Sequence, residues 1–283
     1  MTTTQKIIKY CAIALAILLV VSIISGIVGV LAALVGVDAE KDFAAEPFDL
    51  AIDGDGSELR ELIIELSATH LTVCRGDAVS VKTDSPYITC RQQDGVLTLK
   101  EEPHGLKLFG FQFSFGTRQT GNVILTLPDV VLDRLELTAG AGEIHADALT
   151  AAKATLDFGA GNVELAGLNV IGKLEIDGGV GDLTVKDGSW GSLDLDMGVG
   201  DVLIRGALQG DCRIDLGVGS TRLEIVGDEA DYRITLDKGI GKATVNGKAV
   251  KSGEAYGSGT HSIDVDGGVG SIDVIFVSQE DTQ

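Results

Sequence analysis

Four aspartates offer the most promising chemistry in this chain. Asp177 and Asp182 flank one glycine corner, Gly179-Val180-Gly181, and Asp196 and Asp201 flank the next, Gly198-Val199-Gly200. Carboxylates packed this densely suit a hard cation such as calcium, which takes six to eight oxygen ligands. They also suit a turn cap, because an aspartate side chain readily accepts hydrogen bonds from nearby backbone N–H groups. Capping is the preferred reading, with the calcium site Asp177, Asp182, Asp196 and Asp201 kept as the weaker one and no other cofactor expected.

Other chemistries fit less well. A nucleotide loop needs a third glycine or a Gly-Lys-Ser/Thr ending and a helix N-terminus behind it, and here each corner runs into an alternating, strand-like stretch. The calcium β-roll motif places its aspartate one residue later and repeats every nine residues, about half the interval seen here. His70, His104, His145 and His261 have no metal-ligand spacing, and no Ser or Cys sits in a nucleophile elbow. The acids are spread evenly, whereas glycoside hydrolysis needs two converging on one bond. The chain is therefore read as no enzyme.

The elements that must position these aspartates form a repeat. Gly-x-Gly corners occur at Gly140/Gly142, Gly159/Gly161, Gly179/Gly181, Gly198/Gly200, Gly217/Gly219, Gly239/Gly241 and Gly268/Gly270, at intervals of 19, 20, 19, 19, 22 and 29 residues. Both glycines of each corner are expected to make the turn, and their small size lets successive corners stack. The arms on either side alternate apolar and polar residues, which is the period of a half-buried strand. One such unit cannot bury its apolar face alone, so the units must stack at about 4.8 Å spacing. Two inward columns follow: Leu137, Leu156, Ile176, Leu195, Ile214, Leu236, Val265, and Ile144, Val163, Leu183, Val202, Thr221, Ala243, Ile272. The middle residue of each corner is apolar and is expected to fill the turn from inside. The expected fold is all-β: a parallel β-solenoid of about seven 19–20-residue coils over 128–277, stacked in chain order, with a tail at 278–283. An antiparallel β-sandwich is the alternative. Short alternating runs between 58 and 127 predict an antiparallel or meandering β cap over one end.

Composition agrees. The chain has 38 Gly but only 4 Pro, it is 45% hydrophobic and 5% aromatic, and its formal net charge is −20. Such a surface repels nucleic acid and favours cations or basic peptides. Residues 11–37 contain no charge and predict one transmembrane helix. Lys6 and Lys9 precede it and Asp38, Glu40 and Asp42 follow, so the positive-inside rule places 1–10 in the cytoplasm and the rest outside the cell membrane, with 38–57 as an acidic linker.

Three features stand apart from the repeat. Phe109, Phe111, Phe113 and Phe115 share one face of an extended stretch, read either as cover for a core or as a partner contact. Trp190, the only tryptophan, is read as a loop residue packed on its own coil, with a partner contact as the second reading. Cys212 is expected to face the core. Cys74 and Cys90 lie in neighbouring strand-like runs, where two free thiols are preferred over a disulfide.

The run NVILTLP at 122–128, LDRLELTAGAGEI after it, and the recurring LEIDGGVGDLTV units make the chain similar to a bacterial putative-adhesin β-strand-repeat family, a domain of unknown function. The resemblance covers roughly 58–276. It implies a surface-displayed, membrane-anchored, non-enzymatic domain associated with cell-envelope stress, whose partner would be an envelope protein, a cationic peptide or a cell-wall component.

Overall fold

A computed structural model of the chain describes residues 46–54, 57–102, 106–108, 111–113 and 120–277. The expected transmembrane helix 11–37, residues 38–45, 55 and 56 of the expected linker, the tail 278–283, and Phe109 and Phe115 lie outside the described residues. The described part of the linker is not free chain but holds two short strands, Phe48–Leu50 paired with 81–83 and Asp53–Gly54 paired with Arg91 and Gln92. Among the described residues no helix is long and apolar enough to cross a membrane. The chain divides into two units. Of the smaller, the described part is an antiparallel strand pair, Leu106–Leu108 with Phe111–Phe113, with Leu106 opposite Phe113 and Leu108 opposite Phe111.

The larger unit is a stack of coils built from parallel strands, and the parallel register rules out the antiparallel sandwich. Each coil has a front strand, a glycine corner and a back strand. The fronts run Arg134–Ala141, Ala154–Ala160, 174–180, 193–199 and Cys212–Val218, each in register with the next. The backs run Ile144–Asp147, Val163–Ala166, 183–186, Val202–Leu208 and Thr221–Val226. A short third side stacks Leu132, Ala151, Val170, Trp190 and Leu208. Both expected inward columns are buried throughout. The alternation explains this: with a side-chain period of two, one register puts every apolar residue of an arm inside.

Four features of the order and geometry differ from expectation. First, the stack does not follow the chain at its C-terminal end. Cys212–Val218 pairs with 263–269, and 234–241 pairs only on the far side of that strand. The final strand, His261–Val277, is thus inserted between two coils that precede it in sequence, and Tyr232–Val245 becomes the terminal coil. Lys248–Ala249 and Ala255–Tyr256 lie antiparallel on it and blunt the open edge.

Second, the region 58–127 is more than an antiparallel meander. Glu61–Arg75 is a further coil, parallel to Arg134–Ala141 and Ile144–Asp147. Val96–Glu101 and Gly121–Leu127 add another parallel layer below it. Antiparallel strands come only beyond that, with Ile88–Gln93 on Val96–Glu101 and Ser80–Thr83 on Gly121–Leu127.

Third, the corner residues point outward. Val180, Val199, Val218, Val269 and Ile240 are 57%, 44%, 47%, 46% and 73% exposed. They do not fill the turn: in the inner coils Phe158, Met197 and Leu216 on one side of it and Val163, Leu183 and Val202 on the other are buried there, with Met197 covering Gly178 and Ile272 covering Gly267.

Fourth, the two glycines of a corner do different jobs, where both were expected to make the turn. The first ones, Gly140, Gly159, Gly179, Gly198, Gly217, Gly239 and Gly268, lie inside strands and are not at positive φ. The second ones alone carry the left-handed backbone: Gly142 at +137°, Gly161 at +132°, Gly181 at +139°, Gly200 at +146°, Gly219 at +142°, Gly241 at +152° and Gly270 at +151°. L side chains rarely adopt this conformation. Gly142, Gly161, Gly181, Gly200 and Gly219 separate a front strand from a back strand, as a turn should. Gly241 and Gly270 do not, for they lie within the continuous strands Tyr232–Val245 and His261–Val277. The reason is that these two coils pair residue by residue through the bend, Ile240 with Val269, Gly241 with Gly270 and Lys242 with Ser271.

Both sets of glycines permit close stacking. A Cβ on Gly161 would overlap the carbonyl oxygen of Gly142, one on Gly200 that of Gly181, one on Gly270 that of Gly219, and one on Gly241 that of Gly270. The last two contacts follow the spatial order of the coils rather than the chain order. The second glycine therefore serves twice at this edge, allowing the bend and the close approach.

Candidate functional site: the glycine edge and its two aspartate rows

Stacking the corners brings the outward residues of successive coils together in three parallel rows. The central row is the exposed valines. On the front side runs an unbroken row of six carboxylates, in spatial order Asp157, Asp177, Asp196, Asp215, Asp266 and Asp237, each opposite the next across the ladder. On the back side runs the row Glu143, Asn162, Asp182, Asp201 and Ser220, which begins below with His70. The four sequence-selected aspartates are thus split, with Asp177 and Asp196 in front and Asp182 and Asp201 behind. Among the described residues no group of three or more His, Cys, Asp or Glu is placed to hold a metal ion.

The back row is satisfied internally. At four of the bends the N–H of the residue after the corner is accepted by the side chain one coil below. Asn162 Oδ1 accepts from Asp182 N at 3.3 Å, Asp182 Oδ1 from Asp201 N at 3.0 Å, and Asp201 Oδ1 from Ser220 N at 2.8 Å. His70 Nδ1 accepts from Glu143 N at 2.9 Å in the same way. Capping is therefore real at Asp182 and Asp201, but it reaches from coil to coil rather than within one turn.

The front row is not satisfied this way. Asp215 accepts two bonds from the Arg213 guanidinium, at 2.8 and 3.0 Å, and Asp237 accepts from Ser252 Oγ at 2.6 Å. Asp157, Asp177 and Asp196 accept no hydrogen bond among the described residues. Partial burial raises the Asp177 carboxyl above its ordinary value, and the charges of Asp157 and Asp196 on either side raise it further, with Glu175 and Asp194 adding to them. Lys173 answers part of this charge, bridging Glu175 at 2.5 Å and Asp194 at 2.8 Å.

Two residues that sequence reasoning missed complete the scaffold. Glu101 is buried, and one of its oxygens accepts from Ser67 N at 2.8 Å, Ala68 N at 3.0 Å and Thr69 Oγ1 at 2.9 Å. It caps the corner of the Glu61–Arg75 coil, which has Ser67-Ala68-Thr69 in place of the glycine motif. An acid in the inward phase of VLTLKE was the available signal. At the opposite end, Lys238 occupies the position held by Phe158, Met197 and Leu216 in inner coils. A charge in that column marks an end coil, where the rod interior is no longer sealed by a neighbour.

Trp190 is 1% exposed and offers no partner contact. It lies within the strand Leu183–Val199 rather than a loop, and it packs over Gly188 and Gly206, where any Cβ would collide with its ring. The described cysteines Cys74, Cys90 and Cys212 are all free, and burial pushes the Cys90 thiol up to about 11 and that of Cys212 higher still. Of the phenylalanine face, Phe111 and Phe113 fall in the small strand pair and Phe109 and Phe115 lie outside the described residues.

A coiled stack of parallel strands with a glycine edge and rows of outward acids defines a β-repeat scaffold. The family model described as Toastrack DUF4097 matches residues 46–266, most of the chain, and the chain belongs to that family. The fold is also similar to solved structures. A "putative cell adhesion protein" from Clostridium sporogenes ATCC 15579 is 17% identical, with 82% of this chain and 99% of that one covered and a TM-score of 0.34. A "putative adhesin" from Bacteroides fragilis NCTC 9343 is 15% identical, with 84% and 98% covered and a TM-score of 0.44. Another "putative adhesin", from Parabacteroides merdae ATCC 43184, is 15% identical, with 80% and 100% covered and a TM-score of 0.41. No curated protein matches the chain.

Proposed function

We propose that this protein is a membrane-tethered, extracytoplasmic binding module of the cell envelope that works by display and without catalysis. The observation that carries this reading is the glycine edge. Side chains of one kind repeat there at strand spacing, about 4.8 Å, on a backbone locked by the core. Such rows present an extended, rigid contact surface, whereas catalysis requires unlike groups converging on one reacting atom. The uncharged segment 11–37 supplies the tether and the preceding lysines its orientation, with the Toastrack region outside. Adhesion and envelope-stress sensing are the two roles proposed for this surface.

The test is capture by the full chain, solubilised in detergent, from fractionated envelope material. Retention of a defined envelope protein, cationic peptide or cell-wall component supports the module. Turnover of cell-wall glycans in the absence of stable retention would overturn it in favour of an enzyme. The alternative, a rod stabilised by calcium at Asp177, Asp182, Asp196 and Asp201, has against it that these four are split between two rows and that no described group of three or more acids is placed to hold an ion. That reading requires a thermal midpoint that rises with calcium and falls with chelator, and an unchanged midpoint removes it.

A further inference from the structure

The exposed valine row is unusual because nothing in the fold requires it. The inner angle of the corners within the stack is filled by other residues, and the glycines beside each valine carry no side chain. The apolar groups therefore stand clear of the surface as a ridge, Val180, Val199, Val218, Val269 and Ile240, with Gly219 N bonding Val269 O to keep the inserted strand in line. A contiguous exposed apolar strip bordered by polar residues marks an interaction surface.

We propose that this ridge docks a basic amphipathic helix of a partner protein or peptide, a reading that deepens the binding module proposed above and rests on it. Charge complementarity selects the class of partner. One side of the ridge carries the six-carboxylate row and the other carries Asp182 and Asp201. A second copy of this chain would bring its own front row against the first, within the roughly 8 Å over which charges are felt at physiological ionic strength. A partner with lysines or arginines flanking its apolar stripe would meet both acid rows at once, and the carboxylates that now accept no hydrogen bond would gain donors. Spacing selects the helix. Its apolar residues recur every three to four positions, a rise of about 5 Å, which matches the coil spacing of about 4.8 Å. An extended strand repeats its side chains on one face at nearly 7 Å and falls out of step.

The probe is an 18-residue peptide of lysine and leucine with its leucines in one helical stripe. The control has the same composition, scrambled so that no stripe forms. Both are titrated against the full chain in nanodiscs of zwitterionic lipid, with empty nanodiscs subtracting the peptide's own lipid affinity. We expect the striped peptide to bind at least tenfold more tightly than the scrambled one. The triple variant Val180→Thr/Val199→Thr/Val218→Thr keeps β-branched residues at the edge and should lose that tenfold preference. Asp177→Asn/Asp196→Asn/Asp215→Asn should weaken both peptides and flatten the salt dependence. Equal binding of the two peptides, or an unchanged preference in the threonine variant, overturns the proposal. So does a wild-type dimer that the threonine variant disperses, since that assigns the ridge to a second copy. A photo-crosslinking version of the striped peptide keeps the test independent of variant folding, because crosslinks on wild type must fall within 177–220, 237–242 and 266–271, the residues of the ridge and its flanks. If envelope material is captured equally well by the threonine variant, the binding module stands and the ridge proposal falls.

Discussion

Asp182 and Asp177 have the same side chain, sit five residues apart, and belong to rows with the same spacing on the same edge, yet their situations are opposite. Asp182 lies where the bend interrupts the strand ladder, so it inherits the orphaned N–H of Asp201. Asp177 lies in the middle of an uninterrupted ladder, opposite Asp157 and Asp196, where the backbone has no spare donor. An acid next to a break in backbone pairing becomes part of the fold. An acid next to complete pairing becomes surface charge, and like charges stacked at strand spacing repel. Residue type and period alone do not separate the two cases; the local hydrogen-bond count does.

The largest effect should come from removing the bend that both rows share. Gly200→Ala places a Cβ on the carbonyl oxygen of Gly181 at a φ of +146°. A loss of about 3–5 kcal/mol, or failure to fold, is expected in urea denaturation. Next is the corner without the glycine motif. Glu101→Ala strips two backbone N–H groups and one hydroxyl of their shared acceptor. It should cost about 3 kcal/mol, with faster amide exchange at Ser67 and Ala68 as the local signature.

A paired test then separates the rows directly. Asp201→Ala leaves Ser220 N without its partner and should cost about 1 kcal/mol. Asp196→Ala removes a side chain that accepts no hydrogen bond and should change stability by no more than about 0.5 kcal/mol, with any sign of stabilisation strongest at low salt. Equal losses in the two variants would erase the distinction between the rows.

The smallest effect is in pH dependence. The Asp177 carboxyl is raised above its ordinary 3.8 in the folded chain. Between 3.8 and that raised value the folded state holds a proton that the unfolded state has released, so this group's contribution falls as pH rises through the window. The penalty is complete above the folded value and relieved on acidification. Asp177→Asn should therefore raise the thermal midpoint slightly at neutral pH and by less near about pH 4, which a pH series of melting curves will register.

Much of this architecture was legible in the sequence. Seven Gly-x-Gly corners with alternating arms define the coils, their parallel stacking and both inward columns, because the period of two leaves one register that buries Leu156, Ile176 and Leu195 together. The inward-facing Cys212 followed from the same alternation; Trp190 was expected to pack on its own coil, but from a loop rather than from within the strand Leu183–Val199. The corner valines were misread for a physical reason. Apolar character usually means burial, but each valine sits at the bend itself, with a glycine at positive φ immediately after it, and there the alternation breaks and turns it outward. The division of labour between the two glycines of a corner was hidden for a related reason, since both look equally permissive in sequence. The Glu61–Arg75 coil was missed because its corner, Ser67-Ala68-Thr69, replaces glycine geometry with an acid 32 residues away in sequence from Thr69. The order of the last coils was not available from the repeat, since every coil presents nearly the same edge to its neighbours. Only Lys238, a charge in an otherwise apolar or small column, hinted that its coil belonged at an end.

That inserted final strand has a consequence for how the molecule is made. As the chain emerges during synthesis, coils from Glu61 to Val226 can be laid down one upon another, each on a template already present. The coil Tyr232–Val245 has no such template, because its neighbour, His261–Val277, is the last described strand to be made. Growth by simple addition therefore stops at Val226 and waits. The two ends of the remaining segment must then close together over a long-range pairing, the slow kind of step in β topologies. A chain cut short before residue 261 would lose an inner layer rather than an outer one, leaving its penultimate coil and its intended terminus with nothing to join them.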